Sequence, residues 1–374
     1  MRFVEMLVVA GAAVAAAGSW ERVRIADTAG ERLAEVRVVV EAADGGLLLE
    51  HVDQRLEVVP PDRVIRRQAL AAPPERPSAR ELGAAVLRTL PPGFGQLATR
   101  HYVVCFDTSR AYAMWCAALF ERLHDGFMNF WRQAGVELDG PAQPLIVVIF
   151  ADRGRYEASS AADLGAAADR VVGYYNLLSN RITTFDLTGS DAPVDRPGRS
   201  AGRAGLEILA SPQAAGLVST LVHEATHQLA FNCGLHRRLA AVPLWVSEGV
   251  AIYFETPDLG SDRGWRGIGG VNPPRRERFL ASRRPGWLTG IVRDDGAFRE
   301  AAGALDAYAG AWAATAFLLQ TRKAAFVAYV RTLSRKEPLA EDDADARLAD
   351  FVAAFGAEPA ALEEPIAQFV ARMK

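Results

Sequence analysis

Cysteine and histidine are scarce in this chain, and this scarcity narrows the kinds of site that it can form. The 374 residues contain three cysteines, Cys105, Cys116 and Cys233, and no Cys-x-x-Cys pair. Clustered-cysteine zinc sites and thioredoxin-type redox sites are therefore excluded. Cys105 and Cys116 lie in apolar segments typical of a strand and a helix, so we expect both to be buried as small hydrophobic residues. Only six histidines are present, which gives weight to any regular histidine spacing.

The sequence also lacks an excess of positive charge. Its formal net charge is -3, and lysine occurs only at positions 323, 336 and 374. Nucleic-acid partners usually require a basic face, so we expect no nucleic acid partner. No glycine-rich loop follows a strand and opens a helix, as a phosphate-binding loop would. The preference for arginine and alanine indicates a compositional bias of the genome and not a function.

Long apolar runs are absent except near the N-terminus. Residues 1–18 combine one arginine, an apolar stretch and small residues suited to cleavage near 15–17. This pattern favours a signal peptide, although Glu5 interrupts it; an uncleaved anchor and a cytoplasmic start are the alternatives. We therefore expect an extracytoplasmic location, periplasmic or secreted, with any membrane association limited to this segment. If the chain is exported, Cys105 and Cys116 can form a disulfide, and the sequence does not decide whether they do.

The most specific pattern is His-Glu-x-x-His, formed by His223, Glu224 and His227 in a strongly apolar segment. Helical positions i and i+4 share a face, so the two imidazoles can reach one ion. Glu224 lies on the flank of that face, within reach of a water on the metal. The apolar neighbours predict a buried helix, and buried polar groups need partners. A zinc ion with one open coordination position would supply one, which favours a metal site over a chance pair of histidines.

A second helix is predicted over 244–255, beginning after Pro243, because proline is favoured at helix starts. Glu248 lies within it, with apolar residues on every side. We therefore expect its carboxylate to point into a site and not to solvent. Glu255, about two turns further along, is the competing carboxylate. It is interpreted either as a partner of a metal ligand or as a surface residue.

These two segments, HEATH at 223–227 and WVSEGVAIY at 245–253, resemble the gluzincin zinc metallopeptidases of the peptidase MA clan. They are most similar to the aminopeptidase-like branch and to uncharacterised bacterial members. The match is strong over 221–255 and looser from 101 to the C-terminus. The resemblance implies a peptidase-like fold and one Zn2+ per chain. It also implies roles for four residues: the metal ligands His223, His227 and Glu248, and the general base Glu224.

The same resemblance implies a donor to the oxyanion of the tetrahedral intermediate, placed downstream of the third ligand. Tyr308, at the start of the apolar helical segment AYAGAWAATAFLL, is the candidate. The alternative is a tyrosine ring that packs at a helix start. Tyr253 is expected to pack, because its helical position favours the core.

A hairpin is predicted over 171–187, where two β-prone arms flank a turn-like Ser179-Asn180 pair. Gluzincins place an edge strand beside the zinc, where an extended substrate adds as another strand. Residues 173–176 are candidate substrate contacts on this basis, and an ordinary sheet hairpin is the alternative. Two other signals are weaker. His236 lies in a basic run typical of a solvated helix end, and the Gly/Pro/Arg-rich segment 260–286 is predicted to be an exposed loop.

The order of predicted elements indicates an α+β protein. Residues 19–68 alternate apolar and polar positions and predict a small β-module of three or four strands, used for interaction or packing. Residues 69–100 are proline-rich around one short helix, as in a linker. Residues 101–374 are predicted to form a zincin-like domain, with a mixed-sheet lobe, a helical lobe and the zinc cleft between them. Within it, 152–170 is interpreted as mobile and 190–205 as a loop over the cleft.

The sequence therefore predicts a zinc-dependent hydrolase of gluzincin type, a metallopeptidase acting on peptide or protein substrates. A non-peptide amide hydrolase, such as a cell-wall enzyme, and a non-catalytic zinc-binding interaction protein are the alternatives. Glu224 argues against the last, because a structural zinc needs no base and normally has four protein ligands. Glu255 and Asp262 are the candidates to anchor a substrate amine, and neither signal decides between endopeptidase and exopeptidase.

Overall fold

A computed structural model describes residues 18–28, 30–187, 205, 209–212, 214–260, 265 and 268–373. Two sheets come first in the chain and helices dominate its second half, so the protein is α+β, as predicted. Nearly all of the predicted signal segment and of the loop at 190–205 lies outside these residues, and so does Asp262. Among the helices described, none is long and apolar enough to span a membrane.

The first sheet is antiparallel and has five strands, where the sequence predicted three or four; β1 to β4 form a meander and β5 crosses back to pair with β1. Its strands are β1 (Trp20–Asp27), β2 (Gly30–Glu41), β3 (Leu47–His51), β4 (Leu56–Val59) and β5 (Val64–Ala69). They lie in the order β4-β3-β2-β1-β5. In β1, Val23 and Ile25 are fully buried and Arg24 between them is exposed, as alternation requires. The sequence of β5, VIRRQA, shows no such alternation, so periodicity does not reveal this strand.

The second sheet is mixed and carries the strand nearest to the predicted metal site. Its strands are β6 (Gly95–Ala98), β7 (Tyr102–Phe106), β8 (Leu145–Phe150), β9 (Gly173–Asn176) and β10 (Arg181–Phe185). They lie in the order β6-β7-β8-β10-β9, with β7, β8 and β10 parallel and both edge strands antiparallel. β9 and β10 form the predicted hairpin, and Asn180 closes it with a φ of 59°. One side of β9 is left outside the sheet.

Helices cover the mixed sheet and form the C-terminal half. Those before the turn at 233–243 are α1 (Ala79–Leu87), α2 (Arg110–Gln133), α3 (Arg153–Leu164) and α4 (Ala214–Asn232). Those after it are α5 (Leu244–Glu255), α6 (Pro273–Ser282), α7 (Trp287–Arg293), α8 (Gly296–Arg299), α9 (Ala304–Thr321), α10 (Lys323–Ser334), α11 (Ala344–Phe355) and α12 (Pro359–Arg372). α4 packs between α2 and α5, and α5 packs against α9, so the predicted zinc helix lies in the main core.

Three segments interpreted as irregular contain ordered elements. β6 lies within the predicted linker at 69–100 and pairs with β7. α3 occupies most of the segment 152–170 that was predicted to be mobile, and the side chain of Asp152 caps its start. α6 lies in the predicted exposed loop at 260–286. Its two prolines occupy the first helical turn, where no backbone N–H is needed, and Asn272 caps it. Proline therefore marks a helix start in that segment.

The three cysteines are buried and free. Cys105 packs between the sheet and α1, whereas Cys116 lies in the main core. The two therefore belong to different hydrophobic clusters, and the disulfide that the sequence left open is not formed. Burial raises the pKa of the Cys105 thiol to about 11, which keeps it protonated at neutral pH.

The first sheet packs directly on the rest of the protein, which is one of the two uses predicted for it. A docking cluster of apolar residues joins the two parts: Val40, Leu48, Leu56, Leu178, Leu239 and Leu339. Leu56 N–H donates to the Leu178 carbonyl oxygen at 2.7 Å, within the β9–β10 turn. Arg238 donates to the Gln54 carbonyl oxygen at 2.7 Å and to Glu50 Oε1 at 2.9 Å. The sheet therefore supports the hairpin that carries β9.

Gly249 allows α5 to approach α9 closely, next to Glu248. A Cβ at this position would lie 2.2 Å from Thr315 Oγ1 and 2.7 Å from the Ala311 carbonyl oxygen. Gly249→Ala is therefore expected to push the helices apart and to lower the free energy of unfolding by about 1–3 kcal/mol, measured by urea denaturation. Gly216→Ala on α4 is the matched control, because a Cβ there meets nothing within 4 Å. Equal stability of the two variants would contradict the packing argument.

Candidate metal centre

The two histidines of the HEATH segment face each other on α4. Leu221, Val222 and Leu229 are buried around this helix and fix it in the core. The rings of His223 and His227 have centroids 4.8 Å apart and planes inclined by 79°. Their Nε2 atoms are 3.1 Å apart. The two side chains keep 15% and 11% of their surface exposed, so they border a space that solvent can reach.

Glu248 brings a carboxylate from α5 to the same point. Its Oε2 lies 3.1 Å from His223 Nε2 and 3.4 Å from His227 Nε2. We term these three atoms the donor triangle. A tetrahedral zinc ion with bonds of about 2.0–2.1 Å separates neighbouring ligand atoms by roughly 3.3–3.4 Å. The spacing of the donor triangle therefore fits a zinc ion, and the structure brings together the three ligands that the sequence suggested.

The chemistry of the donor triangle is also compatible with a bound cation. His223 Nδ1 lies 2.7 Å from Glu255 Oε2, and a carboxylate only accepts, so Nδ1 carries a hydrogen. In the neutral ring, Nε2 then presents a lone pair to the other two donors. Burial lowers the pKa of His223, but hydrogen bonds to Glu248 and Glu255 outweigh it and raise this pKa well above its usual value. Burial acts to raise the pKa of Glu248, yet the two histidines hold it well below its usual value. A metal ion would balance the same carboxylates.

Glu255 is buried beside His223, one of the predicted metal ligands, and is not a surface residue. It is 5% exposed, and its Oε1 accepts from Asn272 Nδ2 at 3.0 Å. Arg275 Nε lies 4.0 Å from the same oxygen, and Asn272 also accepts from the Arg275 N–H at 3.3 Å. The start of α6 therefore fixes the carboxylate that orients His223. A carboxylate–histidine–metal arrangement of this kind holds the ring in place and raises its basicity.

Glu255→Gln is expected to weaken zinc binding by about 10–100-fold, because the amide cannot supply the negative charge that supports His223. A competition titration with a fluorescent chelator measures this change in affinity. Glu277→Gln makes the same substitution on the exposed face of α6 and is expected to bind zinc as the wild type does. Equal affinities of the two variants would show that Glu255 does not act through His223.

Glu224 lies beside the donor triangle and contacts the unpaired side of β9. Its Oε2 accepts from the Tyr175 N–H at 2.8 Å. Burial raises the pKa of the Glu224 carboxyl, and the charges of His223 and His227 oppose this rise. A partly buried carboxyl whose pKa is raised suits a group that accepts a proton and later returns it.

Tyr308 lies at the start of α9, within the electrostatic reach of the same carboxylates. Its ring packs edge-on against Phe298 at 5.4 Å, and the Arg275 guanidinium lies 5.5 Å from the ring centroid. Burial raises the pKa of its hydroxyl, and the charges of Glu248 and Glu224 raise it further. The hydroxyl therefore stays protonated and can donate a hydrogen bond, although the ring also packs as the alternative interpretation expected.

Of the other candidate residues, Tyr253 packs in the core as predicted, whereas His236 lies in surroundings that differ from the prediction. Tyr253 is buried, as its helical position predicted. The prediction of a solvated helix end at His236 is wrong: His236 is 2% exposed, because Gly234, with a φ of 83°, turns the chain back onto α4. Asn232, at the end of α4, donates to Asn180 Oδ1 at 2.8 Å and so ties α4 to the hairpin.

A second cluster, His101, His124 and Asp125, also brings three potential donors within 4.8 Å of one another. Its rings are stacked at 3.6 Å with an interplanar angle of 17°. Lone pairs of ring nitrogens lie in the ring plane, so those of parallel rings cannot converge on one ion. The crossed rings of His223 and His227 can converge, and we therefore assign the candidate metal centre to the donor triangle.

Comparison with known proteins found one matching family model, and the description of that model names no activity. A family model described as "Protein of unknown function (DUF1570)" matches residues 217–340. This range begins within α4 and contains the donor triangle, Glu224, Glu255 and Tyr308. No curated protein matches the chain. The similarity is therefore centred on the segment that builds the candidate metal centre.

Proposed function

We propose that this protein is a zinc-dependent hydrolase that cleaves peptide bonds with Glu224 as general base. The observation that carries the proposal is the convergence of His223, His227 and Glu248 on one point, with Glu224 beside it. Structural zinc sites have four protein ligands, whereas catalytic ones keep a position for water. Three donors converge here within the described part of the chain, which supports catalysis over a purely structural role.

Each residue of the centre has a definite part in the proposed reaction. His223, His227 and Glu248 would hold the zinc, which when bound supplies a water with a pKa of about 7 and polarises a carbonyl group. Glu224 takes the proton of the attacking water and passes it to the leaving amine. Glu255 keeps the His223 ring oriented through Nδ1.

The unpaired side of β9 supports an extended peptide as the substrate. Tyr175 N–H points at Glu224 and away from β10, so this side of the strand borders the general base. An extended peptide can pair with such an edge through main-chain hydrogen bonds. This pairing would place the substrate carbonyl groups beside Glu224. A glycan-linked amide has a peptide main chain on only one side of the bond to be cleaved, which favours peptides over cell-wall amides.

Tyr308→Phe is expected to lower kcat by about 10²–10³-fold with little change in KM, because the hydroxyl would donate mainly to the oxyanion of the transition state. Steady-state kinetics on a fluorogenic peptide gives both constants. Tyr253→Phe removes the same hydroxyl from a buried, packing tyrosine and is expected to keep the wild-type kcat. An unchanged kcat in Tyr308→Phe would show that Tyr308 serves only in packing.

The proposal is tested by incubating the zinc-loaded protein with a mixed peptide library and identifying the products by mass spectrometry. Cleavage that stops when a chelator removes the metal is the expected result. A parallel library with acetylated N-termini separates endopeptidase from aminopeptidase activity, since only the latter needs a free amine. A fully zinc-loaded protein that cleaves no peptide would overturn the proposal and point to a non-peptide amide or to a binding role.

A further inference from the structure

A cavity of about 450 Å³ lies where the first sheet meets the end of α4. None of the residues of the donor triangle lines it, so it is separate from the candidate metal centre. We term it the junction cavity. Its volume lies within the range of about 300–1,000 Å³ that is usual for small-molecule sites. The wall residues that matter for recognition are Arg37, Glu50, Phe231, His236, Arg237 and Arg238.

The charges in this wall are unbalanced toward positive. Three arginines line the junction cavity against one carboxylate, that of Glu50. Arg37 Nε donates to Glu50 Oε2 at 2.7 Å, and Arg238 Nη2 donates to Glu50 Oε1 at 2.9 Å. Glu50 therefore neutralises one of these two arginines and leaves one positive charge at the cavity. Arg237 is neutralised from outside the wall by Glu337 at 2.8 Å.

A second and independent observation comes from His236. This side chain is 2% exposed, and neither ring nitrogen has a hydrogen-bond partner within the described residues. Its ring packs against Phe231 at 5.3 Å. A buried polar group without a partner is costly, by about 1–3 kcal/mol, unless something else meets it. The wall of the junction cavity thus combines an excess positive charge with an imidazole that lacks partners.

We propose that the junction cavity binds a small organic anion bearing a carboxylate or phosphate group. The anionic group takes the place of a second carboxylate between Arg37 and Arg238. On binding, the His236 ring turns one of its buried, unpartnered nitrogens toward polar atoms of the ligand, and the carbon skeleton of the ligand lies against Phe231. Arginine guanidinium groups recognise carboxylates and phosphates through charge-assisted hydrogen bonds, so both sources of the anion share one chemistry.

Isothermal titration calorimetry of the full chain with succinate, and separately with inorganic phosphate, tests this site. Saturable binding of at least one anion is expected, and the preferred one identifies the source of the charge. Arg37→Gln is expected to raise Kd by about tenfold or more, and a factor of ten corresponds to about 1.4 kcal/mol. Arg37→Lys retains the charge and should lose less affinity. Succinamide, which has the shape of succinate but no charge, is expected not to bind.

Two further variants separate binding from folding. Arg24→Gln removes an exposed arginine that also lies on the first sheet and also pairs with a glutamate, but Arg24 does not line the cavity, so the affinity should not change. His236→Phe keeps a ring against Phe231 and removes both nitrogens. It is expected to weaken anion binding while thermal stability without anion is kept or raised. Absence of saturable binding in the wild type, or wild-type affinity in both Arg37→Gln and His236→Phe, would overturn the proposal.

Discussion

Glu224→Gln is expected to lower peptide hydrolysis by about 10²–10⁴-fold while the zinc content stays unchanged. Glutamine keeps the size of the side chain and an oxygen that can accept from Tyr175 N–H, but it cannot take up a proton at neutral pH. Glu224 does not belong to the donor triangle, so the metal is expected to remain. The measurement pairs kcat on a fluorogenic peptide with zinc content by elemental analysis of the same preparation.

Glu157→Gln is the matched control for this variant. Glu157 lies on α3, where it pairs with Arg153 on the surface, and its replacement should change neither activity nor zinc content. Wild-type activity in Glu224→Gln would remove the general base from the proposed mechanism. Loss of zinc together with activity would instead make Glu224 part of the ligand set.

His223→Ala and Glu248→Ala are each expected to reduce bound zinc from about one ion per chain to almost none, because three protein ligands are the usual minimum for a catalytic zinc. Zinc should raise the midpoint of thermal unfolding in the wild type and not in these variants, since a ligand stabilises only the state that binds it. The hydrogen bonds that raise the pKa of His223 make protons compete with the metal. Zinc affinity should therefore fall as the pH is lowered and recover as it is raised.

His101→Ala provides the comparison for the histidine variant. His101 Nδ1 is bonded to Glu121 at 2.7 Å, much as His223 Nδ1 is bonded to Glu255, but its ring is stacked against another imidazole. This variant should keep the wild-type zinc content. Zinc retained in His223→Ala and lost in His101→Ala would move the metal centre to the other cluster and refute the assignment.

The donor triangle could be predicted because most of its geometry is local. Two histidines four residues apart must share a helix face, and the apolar segment around them fixes which face is buried. The position of Glu248 was harder to predict, because the distance from its carboxylate to the two histidines depends on how α5 crosses α4. Here the largely apolar surroundings were the decisive signal, since a carboxylate among mostly apolar residues has few places to point except into a site.

The support of the metal centre could not be predicted from spacing. Asn272 and Arg275 reach Glu255 only because the start of α6 lies beside the end of α5. Their segment is rich in proline and glycine, which indicates a loop when composition alone is considered. The two prolines at the first turn of α6 and the asparagine before them are instead a helix-start pattern, and that pattern could have corrected the interpretation.

The contact between Tyr175 and Glu224 could not be predicted from the sequence either. The sequence predicted a hairpin and named its first arm as a substrate edge, but no pattern states which backbone group points at which carboxylate. That information depends on strand order in the second sheet, where β10 lies between β8 and β9. Long-range pairing of this kind leaves little trace in local sequence, just as the short edge strand β6 left none.

The docking cluster also constrains how the protein can be made. It joins Val40, Leu48 and Leu56, near the beginning of the chain, to Leu339, near its end. Ribosomes add about 5–20 residues per second, so the first sheet waits on the order of 15–60 s before its last apolar partner has been synthesised. During that interval the nascent sheet exposes an apolar surface that chaperones would recognise. A premature stop codon anywhere before Leu339 would leave that surface at least partly uncovered, and the truncated product would be a preferred target for quality-control proteases.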